Sequence, residues 1–163
     1  MNELEINNFI IRPMILQDLK QVYALDKLSF PHPWPQGAYE FEIQKSTASR
    51  SWVLEFNKQD QETLIAGLIV VYIIIDEAQI ATFAIHPDFQ NKGFGRKLLR
   101  YALKQCQQEK VNLVFLEVRR SNLPAQSLYQ AFGFETVNIR KDYYSNNEDA
   151  LLMNLDHLQQ KAL

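Results

Sequence analysis

Three strand-like runs follow one another in the middle of this chain and lead directly into a helical pattern. The runs cover 51–57, 63–75 and 77–85, and polar residues separate them. Breaks this short favour antiparallel pairing, because a parallel connection needs a dozen or more residues. After His86-Pro87 the apolar residues recur at helical spacing up to about Glu109. The centre of the chain therefore predicts an antiparallel meander that leads into one long helix.

The flanking segments continue the succession of strands and helices. We predict strands at 6–12, 113–118, 134–144 and 150–155, and helices at 16–28, 37–45 and 124–132. The stretch Phe30-Pro-His-Pro-Trp-Pro35 is excluded from regular structure, because each proline removes a backbone donor and pushes the preceding residue toward an extended conformation. We expect one domain over 1–163, of the α/β (α+β) class, with a mixed sheet.

Charge, cysteine use and hydropathy exclude several classes of protein. Seventeen Lys and Arg against nineteen Asp and Glu leave a net charge of −2, without the basic excess that nucleic-acid binding requires. The longest apolar run, 64–75, is too short to cross a membrane, and residues 1–8 lack the pattern of a signal peptide. The lone Cys106 excludes an internal disulfide and is expected in the core, and the three histidines lack metal-ligand spacing. We expect a cytoplasmic monomer or weak dimer without a metal.

Two glycines mark the junction between the third run of the meander and the long helix. Gly93 and Gly95 stand at the start of the helix, among Lys92, Arg96 and Lys97. Unpaired N–H groups at a helix N-terminus attract anions, and glycines let a phosphate approach the backbone closely. The same glycines also suit a tight turn that binds nothing, and neither established phosphate fingerprint is matched. From these residues alone both interpretations stay open.

Glu117 and Tyr129 are candidates for acid–base chemistry, each with a structural alternative. Glu117 interrupts an apolar run that predicts a buried strand, where a charge is costly unless it is paired. It is either a structural partner of Arg119 or Arg120, or a general base. Tyr129 lies on a short predicted helix, either as packing or as a proton donor.

An aromatic group surrounds the proline-rich stretch. Its members are Phe30, Trp34, Tyr39 and Phe41. They are either core residues or the wall of a ligand site, because the prolines beside Trp34 make burial in regular packing harder.

Short motifs from Phe30 to Met153 carry a resemblance to a known family. They are Pro33-Trp34, Gln90-Asn-Lys-Gly-Phe-Gly95, Leu116-Glu-Val-Arg-x-Ser-Asn122, Ala125-x-x-Leu-Tyr129, Gly133-Phe134, Arg140-x-x-Tyr-Tyr144 and Asp149-Ala150-x-x-Met153. In this combination the chain resembles the GNAT superfamily of acetyl-CoA-dependent N-acetyltransferases. Within that superfamily it resembles the bacterial ribosomal-protein-alanine N-acetyltransferases, the RimI group.

The resemblance implies a fold, a cosubstrate and site residues. The fold is a mixed, mostly antiparallel central sheet with helices on both faces, and acetyl-CoA lies in a splay between the fourth and fifth strands. Glu117 is the implied general base and Tyr129 the implied general acid. The implied acetyl-CoA residues are Phe83, Ala84, Ile85, Gln90, Asn91, Lys92, Gly93, Phe94, Gly95, Arg96, Asn122 and Tyr129. The implied acceptor walls are Pro33, Trp34, Arg140, Tyr143 and Tyr144.

The implied acceptor is the N-terminal alanine of a ribosomal protein. The pKa of an α-amine is near 8 and that of a lysine about 10.4, so a far larger fraction of the α-amine is neutral at pH 7. A general base therefore removes its proton more easily. A small-molecule amine such as a polyamine, an aminoglycoside or an amino acid is the alternative acceptor. Because ribosomal-protein tails are basic, we expect acidic residues near the acceptor and basic ones at the cofactor phosphates. The acidic residues are Glu40, Glu42, Glu148 and Asp149, and the basic ones are Lys92, Arg96 and Lys97.

Overall fold

The structure, a computed structural model, describes residues 8–57 and 63–163. Three predictions touch the remaining positions and lie outside the described residues. They are the first two residues of the strand at 6–12, the missing leader pattern within 1–7, and the polar break at 58–61.

Seven strands form one sheet in the order β1-β2-β3-β4-β5-β7-β6. Their bounds are β1 Phe9–Pro13, β2 Ser49–Asn57, β3 Thr63–Ile74, β4 Glu77–Ile85, β5 Leu113–Arg119, β6 Glu135–Arg140 and β7 Ala150–Leu155. The pairs β1–β2, β5–β7 and β6–β7 are antiparallel, and β4–β5 is parallel. The sheet confirms the predicted mixed, mostly antiparallel class.

The parallel pair β4–β5 is short. Its register runs from Glu77 opposite Leu113 to Gln79 opposite Phe115, although β4 continues to Ile85 and β5 to Arg119. The paired register of the two strands ends at Gln79. This is the splay that the resemblance implies.

Four α-helices lie in the described part of the chain. They are α1 Leu19–Ser29, α2 Ala38–Gln44, α3 Phe94–Gln108 and α4 Leu123–Gln130, with 3-10 turns at Leu16–Asp18, Pro87–Phe89 and Leu158–Gln160. The predicted helix at 16–28 therefore begins as a 3-10 turn. The predicted helix at 124–132 begins and ends earlier, because Asn122 caps it, Pro124 occupies its first turn and Gly133 follows its end with φ +90°.

Helix α3 is amphipathic and supplies much of the core. Its buried residues recur at i, i+4 and i+5 spacing, as expected for one face of a helix. They are Phe94, Leu98, Leu99, Ala102, Leu103 and Cys106, each at most 1% exposed. The predicted core position of Cys106 is confirmed.

The chain divides into two compact units. The first unit contains residues 8–57, 63–71 and 82–102, and the second contains 72–81 and 103–163. The single domain that we expected over 1–163 stays a prediction.

Arg12 organises the beginning of the first unit. Its guanidinium binds both oxygens of Asp18, at 2.7 and 2.8 Å, and its Nε donates to Glu55 Oε2 at 2.7 Å. Both carboxylates are buried, and Asp18 also accepts the N–H of Ile15 at 2.9 Å. The fork geometry of arginine suits this paired arrangement and holds β1, β2 and the first 3-10 turn together.

Strand β6 is the edge of the second unit and is shorter than predicted. The strand predicted at 134–144 ends at Arg140, so this prediction was wrong for 141–144. Asp142 has φ +52° and donates its N–H to Asp149 Oδ1 at 3.2 Å, and Tyr144 N–H donates to Glu148 O at 3.1 Å. These contacts turn the chain back toward β7 instead of extending the strand.

Candidate active site

The loop between β4 and α3 leads into the N-terminus of a helix of 15 residues. Gln90 N–H donates to Pro87 O at 3.2 Å and Lys97 N–H donates to Gly93 O at 3.1 Å. Between them, residues 91–93 form a turn and Phe94 and Gly95 begin α3, so the first N–H groups of the helix lie at this loop. Together with the helix dipole, such N–H groups favour a negatively charged ligand.

Gly93 shows why a glycine is needed in this loop. Its φ is +83°, a conformation that other residues adopt only with strain, and a Cβ built on it would meet nothing within 4 Å. The space beside the loop is therefore open, and a phosphate could approach the backbone there. Asn91, with φ +57°, is a second residue of this loop in the left-handed backbone conformation. A positive φ suits a connecting turn as well as a phosphate site, so both interpretations stay open at this point.

A cluster of phenylalanine rings packs against the loop between β4 and α3. Phe94 is fully buried, and its ring lies 4.0 Å from that of Phe9, which stacks on Phe56 at 4.6 Å. Phe89 meets the edges of Phe9 and Phe94 at 5.5 and 6.1 Å. Lys92 lies over Phe89 and donates to Asp88 O at 2.6 Å. The rings and the Lys92 hydrogen bond hold the backbone of the loop in place.

The end of β4 is tied to the start of this loop. The side-chain amide of Gln90 donates to Ile85 O at 2.9 Å, and His86 N–H donates to Ala66 O at 2.8 Å. Phe83 and Ile85 are half-buried, whereas Ala84 between them is buried. The predicted cofactor segments 83–85 and 90–96 are thus held as one piece within the first unit.

The proline-rich loop is anchored by a buried aspartate that the sequence pattern did not single out. Asp26 is fully buried, and its Oδ2 accepts the N–H of Trp34 at 2.6 Å while its Oδ1 accepts the Tyr39 hydroxyl at 2.9 Å. Trp34 stacks on Tyr39 with ring centres 4.8 Å apart. Burial raises the pKa of Asp26 above its ordinary value.

The aromatic group divides between the two alternatives. Tyr39 is core, Trp34 and Phe30 are half-buried, and Phe41 is 56% exposed. Pro33 is exposed beside Trp34. The ring of Trp34 therefore packs on the buried ring of Tyr39 and keeps part of its surface exposed, so its role as a site wall stays a prediction.

Glu117 lies in the second unit with both carboxylate oxygens engaged. Oε1 pairs with Arg140 Nη1 at 2.9 Å, and Oε2 accepts the side-chain amide of Gln79 at 3.2 Å. The structural alternative named Arg119 and Arg120 as partners, and this was wrong, because they pair with Glu148 at 2.8 Å and Asp149 at 3.0 Å. In the order β5-β7-β6, Arg140 reaches Glu117 across the single intervening strand β7.

Tyr129 is buried in α4, 6% exposed, with its ring 5.6 Å from that of Phe134. Burial, and after it the nearby Tyr144, raise the pKa of the phenol well above its ordinary value. The hydroxyl therefore keeps its proton throughout the physiological range, which is the state that a proton donor needs.

Asn122 closes the N-terminus of α4. Its Oδ1 accepts the N–H of Ala125 at 3.2 Å, an N-cap arrangement. The cap uses Oδ1, so the side-chain amide Nδ2 takes no part in it. This cap could be read from the sequence, since Asn122 directly precedes Leu123-Pro124.

Glu148 fixes the segment that carries the two tyrosines. Its carboxylate accepts the hydroxyl of Ser121 at 2.5 Å and the N–H of Ser121 at 2.9 Å, and binds Arg119 at 2.8 Å. These contacts lower the pKa of Glu148 to about 2, the Ser121 hydroxyl being the main cause. Arg119 in turn lies 3.8 Å from the ring centre of Tyr144. The acidity expected from Glu148 and Asp149 is thus compensated by the arginines that they bind.

Tyr143 and Tyr144 differ in exposure. Tyr143 is 48% exposed and lies under the guanidinium of Arg140 at 5.5 Å, whereas Tyr144 is half-buried and meets Tyr143 edge-on at 5.2 Å. Burial is the main cause that raises the pKa of Tyr144. The structure thus places Glu117, Arg140, Tyr143 and Tyr144 in one unit, as contacts of a single network.

Metal ligands and membrane spans are absent from the described ranges. Within residues 8–57 and 63–163 no three His, Cys, Asp or Glu side chains are grouped to hold a metal ion. No helix in these ranges has the length and apolar character needed to span a membrane.

Comparison with known proteins gives consistent matches. Residues 19–134 match the model of the acetyltransferase (GNAT) family. A Bacillus subtilis relative, provisionally named a ribosomal protein bS18-alanine N-acetyltransferase, is 36% identical over 144 residues, which cover 88% of this chain and 92% of the relative. The crystal structure of the ribosomal-protein-S18-alanine N-acetyltransferase from Escherichia coli matches with a TM-score of 0.80 and 27% identity, covering 91% of this chain and 94% of that one.

The fold also recurs in more distant structures. Arabidopsis thaliana NAA60 in complex with acetyl-CoA matches with a TM-score of 0.80 at 17% identity, covering 91% of this chain and 99% of that one. At this identity the match concerns the fold alone.

Proposed function

This chain belongs to the acetyltransferase (GNAT) family, and from that membership we propose that it transfers the acetyl group of acetyl-CoA to the N-terminal α-amine of a ribosomal protein. The observation that carries the proposal is Glu117, a carboxylate only 13% exposed in the middle of β5. The names of the B. subtilis relative and the E. coli structure support an N-terminal alanine as the acceptor.

The loop before α3 is the proposed pyrophosphate site. Acetyl-CoA supplies the acetyl group as a thioester, which an amine can attack. The N–H groups of Asn91–Gly95 bind the phosphates, and Lys92 and Arg96 add positive charge. Phe83, Ala84 and Ile85 on β4 and the amide Nδ2 of Asn122 contribute the remaining contacts.

Glu117 is the proposed general base. The acceptor arrives with its α-amine protonated, and a proton passes to the carboxylate so that the nitrogen lone pair can attack. An α-amine needs less help than a lysine because its pKa is about 2.4 units lower. Tyr129 is the proposed general acid, since its buried hydroxyl holds a proton that the departing sulfur can take.

Two segments are the proposed acceptor walls. Pro33 and Trp34 lie on the loop that Asp26 anchors, and Tyr143 and Tyr144 lie on the segment that Glu148 anchors. Arg140, the remaining acceptor residue implied by the resemblance, contacts Tyr143 of this second segment. Rings that rest on anchored backbone suit recognition of a short peptide end, because little side-chain freedom is lost on binding.

The acceptor is tested by incubating the protein with acetyl-CoA and a mixed panel, followed by mass mapping of the products. The panel contains peptides with the N-termini of ribosomal proteins, the same peptides with blocked N-termini, lysine peptides and small amines. We expect acetylation of free peptide N-termini. Modification of lysines or small amines instead, with the peptide N-termini untouched, would contradict the proposed acceptor.

The catalytic roles are tested with isosteric substitutions. Glu117→Gln and Tyr129→Phe are each expected to lower kcat by about 10²–10⁴-fold, the usual contribution of a general base or acid. Glu77→Gln, at an exposed carboxylate on β4, and Tyr101→Phe, at a half-buried phenol on α3, are the matched controls. Rates near wild type in both catalytic variants would remove these roles.

A further inference from the structure

The two oxygens of Glu117 are held by partners of different kinds. Gln79, which occupies the last paired position of the parallel register, donates to Oε2 from a neutral amide. Arg140 binds Oε1 with a charged guanidinium at 2.9 Å. An arginine stays charged in proteins and cannot take up a further proton. While Arg140 holds Oε1, a cationic substrate has to compete with the guanidinium for that oxygen.

Arg140 is placed so that it can leave this contact. It is the last residue of the edge strand β6, all of whose residues are exposed, and its own side chain is 48% exposed. Arg119 and Arg120 each have a carboxylate of their own in Glu148 and Asp149. Exposed ion pairs gain little energy because water competes for both partners. The guanidinium can return to water at small cost, whereas the carboxylate cannot.

We propose that Arg140 is a resident cation at Glu117, which the α-ammonium group of the acceptor displaces on binding. The proposal rests on the proposed function, in which Glu117 is the base and the acceptor enters as a cation. Gln79 keeps its hydrogen bond to Oε2 during the exchange and so orients the carboxylate with Oε1 toward the incoming nitrogen. Arg140 is a positioning residue that keeps the carboxylate paired until a substrate cation replaces it.

The proposal predicts an unusual kinetic effect. If Arg140 competes with the acceptor for Glu117, the acceptor KM is raised by a factor of 1 + K. Here K is the equilibrium constant for forming the Arg140–Glu117 contact. For a half-exposed ion pair this factor is about two- to six-fold. Arg140→Gln is therefore expected to lower the acceptor KM by about two- to six-fold, and Arg140→Lys, which retains a cation of similar reach, is expected to stay near wild type. Arg120→Gln, which breaks the ion pair with Asp149, is the matched control.

The experiment measures kcat and both KM values for these variants with the acceptor that the wild-type protein acetylates best. A lower acceptor KM in Arg140→Gln alone supports the proposal. A higher acceptor KM would make Arg140 an attractive wall of the site, and a fall in kcat would give it a role in the reaction, so either result overturns the proposal. Identical kinetics in Arg140→Gln and Arg140→Lys also overturn it, because the charge would then be irrelevant.

Failure of the proposed function would appear elsewhere. If the wild type acetylates a small amine and no peptide, the proposed acceptor is wrong, but the Arg140 comparison can still be made because that amine is also a cation. If Glu117→Gln is as active as wild type, the base is wrong whatever the Arg140 variants do. The two failures are therefore distinguishable.

Discussion

Asp26 holds the proline-rich loop through two hydrogen bonds, and its replacement by alanine is expected to destabilise the protein strongly. The side chain is fully buried, with the N–H of Trp34 at 2.6 Å and the hydroxyl of Tyr39 at 2.9 Å. Alanine removes the acceptor that the half-buried N–H of Trp34 and the buried hydroxyl of Tyr39 share. Hydrogen bonds to charged groups contribute about 1.5–3 kcal/mol each, and part of that is returned because a buried charge is removed.

The net cost of Asp26→Ala is therefore about 3 kcal/mol. For a chain of 163 residues this corresponds to a fall in Tm of about 6–12 °C. Asp26→Asn is the matched control, since its Oδ1 can accept from Trp34 while its Nδ2 donates to the hydroxyl of Tyr39. It is expected to lie within about 1 kcal/mol of wild type at neutral pH. Urea and thermal unfolding measure both variants.

The two variants also differ in pH dependence. Burial raises the pKa of Asp26 above its ordinary 3.8, so the native state takes up this proton at a higher pH than the unfolded state does. The wild type consequently loses stability, relative to Asp26→Asn, as pH rises from about 3.8 through the native pKa. Equal destabilisation by Asn and Ala, or a loss below about 1 kcal/mol for Ala, would refute the reasoning about this anchor.

Three further measurements address other contacts. Arg12→Ala leaves two buried carboxylates uncompensated and is expected to lower the unfolding free energy, measured in urea, by about 3 kcal/mol. The control is Arg120→Ala, at a side chain that is 64% exposed. An equal loss of unfolding free energy in both variants would contradict this expectation. Gly67→Ala is expected to cost about 1–3 kcal/mol, because the new Cβ would lie 2.7 Å from Ile85 Cδ1, and a neutral outcome would show that β3 and β4 adjust freely. The pKa of Glu148 lies near 2 instead of 4.5, so the stability that its carboxylate gives the folded protein is complete above pH 4.5 and is lost toward pH 2. Glu148→Gln is therefore expected to flatten the plot of unfolding free energy against pH between these values. An unchanged slope would contradict the lowered pKa of Glu148.

The order of strands and helices could be predicted because the local pattern and the fold agree. Strand β4 at 77–85 and β7 at 150–155 have the predicted bounds, and the buried face of α3 follows its helical spacing. In these segments apolar periodicity alone decides which residues face the core. The glycine-containing loop was also predictable, because its backbone conformation demands particular residues.

Partner choice in the second unit could not be predicted from the sequence. Glu117 meets Gln79 and Arg140, which are 38 and 23 positions away, through the parallel register on one side and the order β5-β7-β6 on the other. Nearness in sequence favoured Arg119 and Arg120 instead. Strand pairing depends on the whole sheet, so register, and with it the surroundings of a buried charge, is fixed only by the tertiary structure.

The end of β6 could not be predicted either, because it too depends on tertiary contacts. Tyr143 and Tyr144 are of a type enriched in strands, but the turn there depends on hydrogen bonds to Glu148 and Asp149. A signal for Gln79 was present, since a polar residue among apolar neighbours on β4 is as conspicuous as Glu117 on β5. Polar residues within apolar strands are therefore worth pairing with one another before any local partner is assigned.

Because Cys106 is buried, its reactivity toward a thiol reagent reports local opening of helix α3. It is the only cysteine in the sequence, and its side chain is 1% exposed on the inner face of α3. A thiol reagent can reach it only when this part of the helix opens, so the labelling rate, divided by that of an unfolded peptide, gives the fraction of time spent open. Opening of the helix that begins at the proposed phosphate loop can thus be followed with the native residue, with and without acetyl-CoA, and no engineered probe is needed.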